Sequence, residues 1–275
     1  MSLALPYQLT KTLLCAMLEL QGTSKVDPYY FTNTTLNHKY NVLSENIPDE
    51  PPRIGYFGIG TRGFRNLDDD NLAAPYVPSS SNMDLYAPIP FRIVPVDKDL
   101  SAEERANYRM RVRKTVDKKD YWAYYLKKFV ILDRKVRIIE TDISTGEEVD
   151  LETLDSANLN PVPTHTSAED SEAATHKIST AVTTSLLITG AEVLEAVSVL
   201  FGDNLLRANI SEIGLYAGRE TEVNLEDGSG GTFAGNELSL ASLCYHYTST
   251  GTSFANESRT ESFALRINSA SSFLL

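Results

Sequence analysis

The chain has 275 residues, 42% of them hydrophobic and 23% charged, with a formal net charge of −12. This is ordinary globular composition, long enough to bury a core without disulfide or metal staples, and the acidic balance argues against a general nucleic-acid binder. No run approaches the roughly 18 uninterrupted apolar residues of a spanning helix, and Lys11 and Glu19 fall where a signal core would have to be.

Leu9, Leu13, Met17 and Leu20 recur at helical spacing ahead of Gly22, which predicts an opening helix with a C-terminal stop. From Val26 to Pro95 aromatics and prolines replace periodicity, with Tyr29, Tyr30, Phe31, Tyr56, Phe57, Tyr86 and Phe91 between Pro51, Pro52, Pro75, Pro78, Pro88 and Pro90. Such a proline density opposes long helices and central strands, while the aromatics set the stretch apart from disordered sequence. It is expected to be ordered but irregular, and to lie across another subunit.

Ser101 to Glu104 form a capping box for a short helix. Tyr108, Met110 and Val112 then alternate with Arg109, Arg111 and Arg113 as a half-buried strand, which turns through Asp117–Asp120 into a partner strand beginning Tyr121, Trp122, Ala123, Tyr124, Tyr125. A third strand is predicted over 136–143, ending at a turn over 144–147. Residues 150–175 are polar and read as a linker or exposed loop between an N-terminal lobe, 1–149, and a C-terminal β-rich lobe, 176–275. In the second lobe a strand over 178–188 leads to a capping box, Thr189 to Glu192, and a helix through Phe201 stopped by Gly202, with Leu194, Val197 and Phe201 on one face. Strands over 209–216, 238–247 and 261–268 complete the prediction: a β-dominated α+β fold with antiparallel sheets, a few short helices and long irregular extensions.

Charge is unevenly placed. Residues 92–137 carry 14 of the 25 basic residues, whereas residues 138–275 carry 5 basic against 21 acidic ones. The two regions are suited to attract each other, within one subunit or between copies.

Several patterns resemble chemistry without completing it. Gly58-Ile59-Gly60-Thr61-Arg62-Gly63 matches GxGxxG, but no periodic helix follows to hold a pyrophosphate, which leaves a glycine-rich turn. Asp227-Gly228-Ser229-Gly230-Gly231 lacks a histidine marked as its base, and Asp68-Asp69-Asp70-Asn71 lacks the alternation of a calcium loop. Cys244 and His246 share a strand face in a regular period-two strand but make only two zinc ligands. The only cysteines, Cys15 and Cys244, lie far apart in sequence, which argues against a disulfide framework and fits folding in a reducing cytosol. No catalytic, cofactor or metal residues are assigned. The mixture of Arg109, Arg111, Tyr121, Trp122, Tyr124 and Tyr125 reads as a protein interface or as cation–π packing inside a sheet.

Ile210-Ser211-Glu212-Ile213-Gly214-Leu215-Tyr216-Ala217-Gly218 resembles the EIGL-aromatic strand of bacteriophage tail-collar fibre and related virion proteins. The resemblance implies a non-enzymatic tailed-phage structural subunit, a tail or baseplate attachment or wedge piece rather than a fibre, since no repetitive shaft follows. A neck or collar component, or a stand-alone carbohydrate- or protein-binding β module, is the alternative. The expected partners are further copies of the chain and other virion proteins in a symmetric homo- or hetero-oligomer, with no nucleic acid and no membrane. The expected location is the virion, assembled in the host cytoplasm. Tyr29, Tyr30, Phe31, Tyr56, Phe57, Tyr86, Phe91 and the Arg109–Tyr125 cluster are the interface candidates.

Overall fold

The computed structural model describes residues 7–13, 15, 16, 18, 19, 35–40, 52–66, 73–129, 137–142, 145–151, 176–226 and 231–268. Tyr29, Tyr30, Phe31, the 68–71 run, residues 227–230 and most of the predicted linker lie outside them. The chain forms two compact units, one of residues 1–129 and 187–261, the other of residues 130–186 and 262–275.

The elements in chain order are β1 (Tyr7–Lys11), α1 (Thr35–Tyr40), β2 (Arg53–Gly60), β3 (Phe64–Asn66), β4 (Ala73–Pro75), β5 (Pro88–Ile89), β6 (Arg92–Pro95), α2 (Ala102–Arg105), β7 (Tyr108–Val116) and β8 (Lys119–Lys128). They continue with β9 (Arg137–Asp142), β10 (Glu148–Leu151), β11 (His176–Thr189), α3 (Gly190–Phe201), β12 (Asn209–Glu226), β13 (Thr232–Ser253) and β14 (Thr260–Asn268). The larger unit is built on an antiparallel sheet ordered β1-β13-β12-β2-β8-β6, with β5 also on β2 and β7 on the other edge of β8. In the second sheet the order is β10-β9-β11-β14, and β3 pairs with β4 as a small hairpin. The fold is β-dominated, as the alternating and β-branched runs predict.

The predicted boundary at 150–175 does not divide the units. Asp150 and Leu151 belong to β10, and the C-terminal strands β12 and β13 pair with β2 and β1 of the N-terminal region. Sheet pairing joins residues distant in sequence, so a polar stretch marks no lobe edge here.

The opening segment is also a correction. Residues 7–11 are a strand against β13, and helical geometry begins only at Leu13, where the Thr12 hydroxyl caps the turn by accepting from the Cys15 amide at 3.2 Å. Edge pairing overrides the helical spacing of Leu9.

Among the described residues of 26–95, the chain packs into its own core. Arg53–Gly60 contains no proline, because Pro51 and Pro52 precede it, and this free run becomes the central strand β2. Both its faces are covered: Tyr56 lies in the main core with Tyr125, Leu126, Tyr216 and Leu243, while Phe57 meets Phe91 edge-on at 5.0 Å. Tyr56, Phe57, Phe91, Tyr124 and Tyr125 are therefore buried within this chain, and Tyr121 packs against the same core. The expectation that this stretch borrows its order from a neighbouring subunit does not hold for its described part.

Of the two readings of the Arg109–Tyr125 cluster, interface or cation–π packing inside a sheet, Arg109 and Arg111 take the interior one. Arg109 is 3% exposed and bonds Glu220 at 3.0 Å, and Arg111 bonds Asp99 at 2.6 Å with its guanidinium 4.0 Å over the Trp122 ring. The predicted attraction between basic middle and acidic C-terminal region operates within one chain, through Arg92–Glu195, Lys127–Glu192, Arg109–Glu220 and Lys128–Glu220. Both predicted capping boxes form, at Ser101–Glu104 and Thr189–Glu192, and α3 ends at Gly202. Its buried face is Val193, Ala196 and Val197, so of the predicted set Val197 is buried, Leu194 is half-buried and Phe201 turns outward at 38% exposure.

Candidate functional site

The sequence places Glu212 between Ser211 and Ile213, the only acid in the predicted strand over 209–216. In the fold its carboxylate is wholly buried and becomes the centre of a loop clamp. Oε1 accepts from the Arg62 amide at 2.8 Å and the Ala87 amide at 3.1 Å. Oε2 accepts from the Tyr86 amide at 2.7 Å and lies 3.1 Å from His246 Nε2. The imidazole is also fully buried, and its Nδ1 accepts from the Asn82 side-chain amide at 3.1 Å. That contact assigns the ring proton to Nε2, which donates it to Glu212.

Neighbouring groups fix the same loop from below. Asp84 accepts from its own chain at Leu85, from Lys39 at 2.7 Å, and from the phenols of Tyr40 and Tyr216 at 3.4 and 3.3 Å. Burial, then the Asp84 charge, pushes both phenols well above the ordinary tyrosine range, so they stay protonated and donate.

The GxGxxG run is the end of β2 and the turn that crosses this clamp. A side chain at Gly63 would place its Cβ 2.0 Å from the Ser211 carbonyl oxygen, so only glycine permits the approach, and the residues after it form β3 rather than a helix. The glycines serve close strand contact, beside a carboxylate where a pyrophosphate would be repelled.

Above the clamp a cavity of about 340 Å³ is lined by Arg62, Tyr76 and Tyr86. The two rings meet edge-on at 5.8 Å, and Tyr86 lies 4.9 Å from the His246 ring. Among the described interface candidates Tyr86, at 42% exposure, is the one left in the open, and Arg111, Tyr121 and Trp122 are partly covered. Chemically the arrangement offers stacking and a cation to a ligand. Both imidazole nitrogens and both carboxylate oxygens are already engaged, so the pair orients backbone instead of presenting a base.

The other sequence patterns stay apart. A bulge pairs Leu215 with Tyr245 and Tyr216 with Leu243, which interrupts the alternation at Cys244. Cys244 packs with Cys15 and Ala217, while His246 joins Glu212. Among the described residues no group of three or more His, Cys, Asp or Glu is placed to hold a metal ion. Glu212, Asn82, Arg62 and Tyr76 were not legible as a group; the one signal was a single acid in the predicted strand over 209–216.

The fold and this site define an antiparallel β protein in which a buried carboxylate fastens loops across its central strands. The chain belongs to a family of unknown function, DUF7208, whose model matches residues 4–274. No curated protein and no solved structure matches it.

Proposed function

We propose that the chain is a structural subunit of a tailed-phage virion, an attachment or wedge piece of the tail or baseplate that acts through protein–protein assembly. The observation that carries this reading is the use of Glu212 and His246: buried groups of the kind enzymes use for proton transfer are engaged on every side in holding loops together. The likeness of Ile210–Gly218 to the tail-collar strand supplies the virion context. Leu205 and Leu206, 52% and 88% exposed beyond α3, supply apolar surface of the kind that contacts partners.

Antibodies raised against the purified chain should decorate tailed particles in lysates that contain it, and its peptides should copurify with the particles at a fixed ratio. Recovery only in the particle-free fraction would overturn the proposal. A second reading, a carbohydrate- or protein-binding β module, is favoured by the Arg62–Tyr76–Tyr86 cavity. A glycan or peptide that binds the purified chain saturably, and is lost with Tyr86→Ala, would support it.

A further inference from the structure

The two cysteines, 229 positions apart, meet in the fold. The register of β1 on β13 sets Lys11 opposite Tyr245, and the next residue, Thr12, donates its amide to the Cys244 carbonyl at 2.9 Å. The Thr12 hydroxyl donates to the Leu243 carbonyl and caps the turn that carries Cys15. Cys15 thereby follows Thr12, which is bonded to Cys244, by one helical turn, and both cysteines are buried, at 3% and 1% exposure, in one cluster with Ala217. The Cys244 thiol donates to the Ser242 carbonyl at 3.7 Å.

We propose that Cys15 and Cys244 are a reversible dithiol–disulfide pair that fastens the N-terminal segment to β13, with a glutathione-type disulfide as oxidant. Cys15 is the attacking member. The Cys244 thiol, with help from Lys11 and the Tyr245 hydroxyl, holds the Cys15 thiol below its ordinary value against burial and the Glu19 charge, whereas Cys244 is held well above. The Cys15 thiol donates to Glu19 Oε1 at 3.8 Å and gives up its proton to solvent before the attack. The thiolate attacks one sulfur of oxidised glutathione and expels a glutathione thiolate, which is protonated. Cys244 then loses its proton to solvent, attacks the Cys15 sulfur and expels the second glutathione. Two protein thiols become one disulfide, and one glutathione disulfide becomes two thiols. The pair does not depend on the assembly role.

The test uses the full wild-type chain. After incubation with oxidised glutathione and alkylation with N-ethylmaleimide, the intact mass should fall by two hydrogens with no alkyl adduct, and a peptide map should contain a Cys15–Cys244 linked pair. The oxidised chain should melt several degrees higher than the reduced one, and dithiothreitol should reverse both changes. The Cys244→Ser variant should instead retain one glutathione on Cys15. Two alkylated cysteines after oxidation of the wild-type chain, or glutathione retained there on Cys15 without closure, would overturn the proposal.

Discussion

Glu212 on β12 and His246 on β13 face each other at 3.1 Å with neither side chain exposed to solvent. One carboxylate thus serves the amides of Arg62, Tyr86 and Ala87 together with the imidazole, across three separate stretches of chain.

Glu212→Ala should destabilise the protein by about 3 to 5 kcal/mol, because three amides and a ring N–H lose their acceptor inside the fold. Glu212→Gln should cost less, since one oxygen remains. Urea unfolding followed by tyrosine fluorescence measures both; a loss under about 1 kcal/mol for the alanine variant would contradict the clamp.

Gly63→Ala forces backbone apart, since Ser211 cannot move aside as a side chain would. The shift breaks the Gly63 amide to Ser211 Oγ contact at 2.8 Å and the Tyr76 amide to Gly63 carbonyl contact at 2.8 Å. A loss of about 2 to 3 kcal/mol is expected. Gly55→Ala, where nothing lies within 4 Å, should stay within about 0.5 kcal/mol and serves as the control.

Acid should weaken the larger unit through Glu220. Burial pushes this carboxyl up, but the Tyr56 hydroxyl, Lys128 and Arg109 outweigh it and hold the group below the ordinary glutamate range. The folded state therefore binds fewer protons, so the contribution is full above pH 4.5 and is lost as pH falls through the lowered value. Tyr56→Phe removes the donor at 2.6 Å. The stability difference between wild type and variant should be largest near neutrality and should shrink in acid, as measured by denaturant titrations across that window.

Glu237 carries the opposite sign. Burial outweighs the Arg105, Arg109 and Arg111 charges and raises this carboxyl above the ordinary range. Its favourable contribution is present below pH 4.5 and is lost as pH rises through the raised value. Glu237→Gln should therefore raise the melting temperature at pH 7 and leave it nearly unchanged at pH 4, which differential scanning calorimetry would read directly.

Local signals were legible where neighbours in sequence decide the outcome. The capping boxes at Ser101 and Thr189, the β7–β8 hairpin and the stop at Gly202 all depend on hydroxyls, turns and alternation within a few residues. Long-range pairing was not. Residues 53–57 read as a short strand, but nothing around them announces that β12 and β8 will enclose it, and the surrounding prolines argued against a central position. Interface and interior packing could not be told apart for Arg109 and Arg111, because their partners Glu220 and Asp99 come from other elements. The candidate site was the least visible part, since its residues come from β12, β13 and two loops, and a lone glutamate among isoleucines gives no hint of the amides it will meet.

The strand order β1-β13-β12-β2-β8-β6 has a consequence for biosynthesis. When the ribosome has released only the first 129 residues, β2 and β8 exist but the two longest strands, which stand between β1 and β2, do not. The intervening unit, residues 130–186, emerges before the earlier one can close. Nascent chains of this protein must hold the apolar flank of β2 uncovered until translation passes Glu226, the end of the strand that pairs with it, the interval in which a chaperone has something to grip.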